Sequence, residues 1–374
     1  MDRRWGPIAT GVALALTFVV LVLLGTTGGP AAPPPADGVP VAQGKAGAAG
    51  VPPAWMRRLS PGEKPPQFVL FSFDGAGSHD HWQRILPLAA KVNAHITGFL
   101  SGLYLLPDTL RGTYHGPGHG AGRASISFGG TDADVATRIR DLNAALAAGH
   151  EIGTHFNGHF CAGNEPSGGV WSKADWVSEL DQFFDILRDA AARGLRVPED
   201  EVRGGRIPCL EGRPEAFLPA MADRAMTYDT SRTTEGVAWP EQKDGMWEFW
   251  VPVVKVPALG GKKVTMQDYN LWYAMNGAQE DPARDAEFTA ATLDTYRAAY
   301  QAAYNTNRAP LTIGNHFNDW SGGAFSRATE QFMGEVCVRP NTACATYSEV
   351  LDWMKLQDPA VLDTFRHKPH AQIS

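Results

Sequence analysis

From Gln67 onward, runs rich in β-branched and aromatic residues alternate with stretches whose apolar residues recur at helical spacing. QFVLFSF reads as a strand that stops at Asp74, HDHWQRILPLAAKVNA as the helix after it, and HITGFL as the next strand. This alternation predicts the α/β class, with a parallel sheet and helices packed on it. The rhythm continues through DADVATRIRDLNAALAAG, a helix with Asp132 or Asp134 near its start and Gly149 placed for a left-handed cap, into the strand HEIGTH. It repeats in RGGRIPCL with PEAFLPAMADRA, in MTYDTS, and in DPARDAEFTAATLDTYRAAYQAAYN leading to APLTIGNHF, and ATYSEVLDWMKL closes as an amphipathic helix. Residues 102 to 132, glycine-rich and without a period, read as a long surface excursion.

The N-terminal part has a different character. Residues 7 to 25 form an uncharged apolar run of bilayer length behind Arg3 and Arg4, so residues 1–26 read as a transmembrane anchor or a signal peptide. The length of the run favours the uncleaved anchor, and either choice places the remainder on the extracytoplasmic side. Residues 27–66, rich in Pro, Ala and Gly, read as a linker, 67–356 as the catalytic domain and 357–374 as a tail. The net charge of -7 comes with no block of Lys or Arg, which argues against nucleic acid as a partner.

Ionisable residues fall at equivalent places along the repeat. Asp74, His155, Arg206, Asp229 and His316 each lie at or just past the end of an expected strand. In a parallel barrel those ends converge on one face, where the following loops build the active site. His155 and His159 enclose Asn157-Gly158, a turn able to bring two imidazoles to one point, and such a pair suits a divalent cation, zinc above all. His115 and His119 share that spacing, but no strand precedes them, and they read as a mobile loop rather than a metal site.

Taken together, FSFDG, GHEIGTHFNGH, RIPC, YDTS and LTIGNHF resemble the ordered motifs of the polysaccharide deacetylases, the NodB-homology domain of carbohydrate esterase family four. The resemblance spans about residues 67 to 356 and implies a distorted, incomplete (β/α) barrel that removes acetyl groups from polysaccharides with a divalent metal, usually zinc. It further implies His155 and His159 as metal ligands, Asp74 as general base, Arg206 as the residue that orients it, His316 as general acid and Asp229 as a supporting residue beside the substrate site.

The first motif departs from that pattern. Gly75 stands where the family has a second aspartate, its third metal ligand; Phe156 replaces a small hydroxyl residue, and Cys209 an aromatic one. His79 or Asp80, in SHDH, can complete the shell, His79 being favoured because Asp80 is equally well placed to cap the helix that begins there. Asp74 binding the metal itself is the other alternative.

The expectation is a metal-dependent deacetylase acting on acetylated cell-wall or surface polysaccharide. A non-catalytic glycan-binding envelope protein and a metal-dependent amidase on a non-sugar substrate are the rivals. Of eleven tryptophans, Trp320 is expected nearest the substrate, while Trp176 and Trp353 sit at helical core spacing. Because the loops after His159 and Arg206 must converge in such a site, the four cysteines are expected to pair as Cys161–Cys209 and Cys337–Cys344.

Overall fold

The structure, a computed structural model, describes residues 53–243 and 245–373. The anchor or signal segment and most of the linker therefore lie outside the described residues, and among the described residues no helix is long and apolar enough to cross a membrane.

β1 (Gln67–Gly75) is buried from Gln67 through Asp74, which explains its continuous apolar run: in a parallel sheet covered on both faces neither side of a strand meets water. On one side of it β2 (Thr97–Leu100), β3 (Glu151–Thr154), β4 (Gly204–Gly205) and β5 (Tyr228–Asp229) follow in chain order, all parallel. After β5 the chain forms β6 (Thr233–Glu235), then β7 (Glu241–Lys243) and β8 (Met246–Glu248), an antiparallel pair that extends the sheet beyond β5. β9 (Val251–Val256) and β10 (Lys262–Thr265) join β6 in a separate three-stranded sheet. β11 (Leu311–His316) lies parallel on the other side of β1, and β12 (Thr342–Cys344) pairs with the first residues of β1. Among the described residues no ladder joins β7 to β11, so the nine strands form an open, curled half-barrel, the incomplete barrel expected.

Nine helices accompany these strands among the described residues: α1 (His79–Lys91), α2 (Asp132–Ala147), α3 (Lys173–Ala191), α4 (Pro214–Asp223), α5 (Asp268–Asn276), α6 (Asp285–Asn305), α7 (Trp320–Val336), α8 (Tyr347–Leu356) and α9 (Pro359–Arg366). Their starts are written locally. Thr131 with Asp134, Ser172 with Asp175 and Thr346 with Glu349 form reciprocal capping boxes at α2, α3 and α8, each satisfying two otherwise unpaired N–H groups. Gly149 has the expected left-handed conformation, φ +85°, after α2. Trp176 and Trp353 are fully buried, as their spacing requires.

Three boundaries differ from the sequence reading. The excursion after β2 is anchored, since Leu103, Leu105, Leu106, Tyr114 and Phe128 join the core and His119 stacks on Phe160 at 3.7 Å. The segment from residue 357 carries α9, whose Leu362 and Phe365 are buried, and Ala371 bridges to Val237. The described end of the linker also packs, with Trp55 edge-on to Phe68 at 5.4 Å. In each case a few aromatic or aliphatic groups, too sparse to give a period, bury enough apolar area to hold the segment.

Candidate active site

Strand register brings the site together. Asp74 lies opposite His316 across β1 and β11, Gly75 pairs with Leu100, Leu100 with Thr154, Thr154 with Gly205, and Gly205 with Asp229. His155 and Arg206, one residue beyond β3 and β4, therefore enter the same layer as Asp74. Asp74, His155, His159, His316 and Trp320 line one cleft of about 590 Å³.

Arg206 is fully buried and every direction of its guanidinium is used. Nη1 donates to Asp74 Oδ1 at 2.9 Å, Nη2 to the Tyr347 hydroxyl at 2.9 Å, and Nε to the Thr230 carbonyl at 3.0 Å, while the plane lies 4.9 Å from the Phe99 ring. Gln267 Nε2 approaches the second Asp74 oxygen at 3.4 Å. Burial alone would raise the Asp74 carboxyl, but the Arg206 guanidinium, aided by His316, outweighs it and holds the group below its ordinary range. Asp74 is thus an ionised carboxylate in a dry place.

His316 has the opposite assignment. Its Nδ1 is 2.7 Å from Asp268 Oδ1, and its backbone N–H donates to Asp268 Oδ2 at 2.7 Å, leaving Nε2 without a hydrogen-bond partner among the described residues. Burial lowers an imidazole pKa, yet the Asp268 carboxylate more than compensates and raises His316 above 6.5. Trp320 packs 5.2 Å from this imidazole and stacks on Trp272 at 5.0 Å, with Tyr269 at its edge.

The loop after β3 presents two imidazoles. His155 donates from Nδ1 to the Arg206 carbonyl at 2.7 Å, while its buried Nε2 has no hydrogen-bond partner among the described residues. An orphaned, desolvated nitrogen is costly unless a ligand takes it. Burial drives the His155 pKa down to about 3, which keeps the ring in the neutral form a cation needs. The His159 ring lies 5.3 Å away, centre to centre. The loop reaches this shape through positive φ at Phe156 and His159, both +55°, with Phe156 seated on Trp176 at 5.0 Å and Glu179 accepting from the N–H groups of Asn157 and Gly158. In donor type the pair fits a divalent cation.

Among the described residues no third protein donor is assembled beside that pair. His79, expected to complete the shell, does not line the cleft; it is the first residue of α1, its side chain is half-exposed, and its Nδ1 is 2.9 Å from Asp141 Oδ2 of α2. The cause is helix phase, which turns position 79 toward the neighbouring helix. The cap of α1 is Ser78 rather than Asp80, and Asp80 occupies the exposed first turn. Among the described residues, the one group of three His, Cys, Asp or Glu ligand atoms within 4.8 Å of one another is His159, Cys161 and Cys209. Those sulfurs form the Cys161–Cys209 disulfide and offer no thiolate; Cys337–Cys344 is the second bond, as expected.

Asp229 is fully buried behind the cleft. It accepts from the Ser231 N–H at 3.0 Å, and Ser231 Oγ in turn accepts from the Ile207 N–H at 2.9 Å, so Asp229 shapes the turn after Arg206 and does not line the cleft. Sequence reasoning missed Asp268, Gln267, Tyr347 and Glu179. Of these only Asp268 carried a signal, a carboxylate just past the strand KKVT; the others reach the site from elements whose packing no local pattern reveals.

No family profile matches the chain. Among curated proteins, chitin deacetylase 8 of Bombyx mori is 23% identical over 247 residues, 62% of this chain and 62% of its own length, so the chain spans less than two thirds of that relative. Among solved structures, a candidate polysaccharide deacetylase from Mycobacterium smegmatis superposes with a TM-score of 0.48 at 17% identity over 80% of this chain and 94% of that one. A family-four carbohydrate esterase pseudoenzyme from Bacillus anthracis gives 0.42 at 12% identity over 80% and 71%. With the motif series and the site in place, this chain resembles the polysaccharide deacetylases of carbohydrate esterase family four, with a divergent first motif.

Proposed function

We propose that this protein hydrolyses acetyl groups from a cell-envelope polysaccharide, with Asp74 as general base and His316 as general acid. One observation carries the reading: two charge-tuned pairs, Asp74 with Arg206 and His316 with Asp268, stand at the ends of adjacent strands in one cleft. A low-pKa carboxylate beside a raised imidazole is the acid–base division that hydrolysis of an acetyl linkage requires.

In this reading Asp74 accepts a proton from the attacking water while Arg206 keeps its carboxylate ionised and aimed. His316, its Nδ1 held by Asp268, delivers a proton from Nε2 to the leaving nitrogen or oxygen, and acetate departs. His155 and His159 would hold the divalent cation, zinc being the natural choice for imidazole; such a cation, when bound, lowers the pKa of water and polarises a carbonyl. Trp320, with Tyr269 beside it, offers the aromatic surface on which a pyranose ring packs. Extracytoplasmic placement, with the N-terminal apolar run as the membrane contact, belongs to the same proposal and draws support from the two disulfides.

The test is acetate release from a panel of acetylated polymers (chitin oligosaccharides, peptidoglycan, acetylated xylan) with and without chelator. Release that chelation abolishes is expected. That no third protein donor stands beside His155 and His159 among the described residues favours a second reading, a glycan-binding protein without turnover, and binding of those polymers with no acetate released would establish it instead.

A further inference from the structure

Where the first motif has glycine, another residue fills the space. Gly75 closes β1 in the left-handed region, φ +89°. A Cβ at Gly77 would meet Cδ2 of Tyr104 at 2.3 Å, and one at Gly75 would touch Cε2 of the same ring at 3.4 Å and its hydroxyl at 3.8 Å. The phenol therefore lies against the Gly75–Gly77 turn, with its hydroxyl beside the place a side chain at 75 would enter. Arg138 of α2 fixes the arrangement: Nε donates to the Gly77 carbonyl at 2.8 Å, Nη1 to the Tyr104 carbonyl at 3.1 Å, and the guanidinium sits 5.7 Å from the ring centre. Tyr104 lines the same cleft as Asp74, His155, His159 and His316.

Burial raises this phenol above its ordinary value of 10.0, Arg138 opposing, and no hydrogen bond to a described residue contributes. It is a protonated donor facing the cleft, with no hydrogen-bond acceptor among the described residues. Held by its ring and its backbone rather than by its hydroxyl, the group is preorganised, and preorganised donors act on charge that develops during reaction.

We propose that Tyr104 is a catalytic residue of this cleft, its phenolic O–H donating a hydrogen bond to the acyl oxygen as water adds to the carbonyl. The inference rests on the deacetylase reading. The phenol keeps its proton throughout; negative charge gathers on the acyl oxygen as the new C–O bond forms, is stabilised by the O–H, and returns to the carbonyl when the bond to the leaving group breaks.

The experiment is Tyr104→Phe in the full chain, which keeps the ring against Gly75 and Gly77 and removes only the hydroxyl. Loss of one such donor lowers kcat by about 10²-fold, with KM changed far less. A kcat within about twofold of wild type overturns the proposal, since a loss that small is far below what an oxyanion donor supplies. Should wild type release no acetate from any polymer, the deacetylase reading falls, and acetate alone, titrated by NMR against both proteins, still decides the contact. A hydrogen bond to a charged ligand makes wild type bind acetate about tenfold more tightly than the variant; equal affinity, or no binding by either, refutes it. Were the variant to misfold, 3-fluorotyrosine at position 104 shifts the acidity of the O–H at nearly constant shape. A more acidic donor stabilises the charged acyl oxygen better, so kcat at the pH optimum rises, and an unchanged kcat rejects the donor role.

Discussion

Burial and charge pull on Asp74 and His316 in opposite senses, and the partner of each decides the outcome: Arg206 holds the Asp74 carboxyl below its ordinary range and Asp268 raises the His316 imidazole above its own. Hydrolysis that needs both forms has a window bounded below by the lowered Asp74 pKa and above by the raised His316 pKa. Asp268→Asn removes the carboxylate that raises His316, so its pKa falls and the alkaline limb of kcat/KM moves to lower pH. The acid limb, set by Asp74, stays in place. A pH–rate profile with an unmoved alkaline limb would remove His316 from the role of acid. The orphaned Nε2 of His155 gives a second expectation: His155→Ala loses its divalent cation, read by elemental analysis of the purified protein, while its far-ultraviolet circular dichroism is unchanged. Full retention of metal would place the cation elsewhere.

At the scale of the element, the loop after β3 depends on a residue far along the chain. Glu179, buried in α3, takes the Asn157 N–H at 3.0 Å, the Gly158 N–H at 2.9 Å and the Tyr114 hydroxyl at 2.9 Å. Burial raises its pKa, which the bonds from Gly158, Tyr114 and Asn157 offset only in part. Those bonds compensate for a loop that holds Phe156 and His159 at positive φ. Glu179→Ala leaves two buried N–H groups unsatisfied and costs about 4 kcal/mol, whereas Glu179→Gln retains an acceptor oxygen and costs about half as much. Urea denaturation of both variants measures this; a loss below about 1 kcal/mol for Glu179→Ala would mean that the turn stands unaided.

Across the whole molecule, two loops of the cleft are tied by Cys161–Cys209, which closes 48 residues, while Cys337–Cys344 closes only 7. Chain entropy makes the longer link worth about 4 kcal/mol and the shorter about 2.4 kcal/mol. Replacing Cys161 and Cys209 together by Ser is therefore expected to destabilise the protein more than the same change at Cys337 and Cys344, as judged by denaturant midpoints. It also affects the cleft, because Cys209 lines it and holds φ +55° there. Equal losses from the two pairs would show that native-state strain, not loop length, governs them.

What the sequence determined by itself was local or periodic. The βα rhythm implied a parallel sheet, the continuous apolar run of QFVLFSF implied a strand buried on both faces, and strand ends carrying Asp74, His155, Arg206 and His316 implied one reactive face, because parallel strands present their C-terminal ends to the same side. The cysteine pairing followed once two loops had to meet there. Everything that depended on helix phase or on packing between distant segments was decided by the tertiary structure alone. SHDH carried no sign that α1 would turn His79 toward Asp141, and MQDYN offered a carboxylate past a strand without showing that it would hold His316. Nothing in SGLYL showed that a phenol would lie in the space two glycines leave. Those contacts join positions tens to hundreds of residues apart, and the free energy that selects them comes from burial and hydrogen bonding, which exist only once the sheet has curled and its helices have docked.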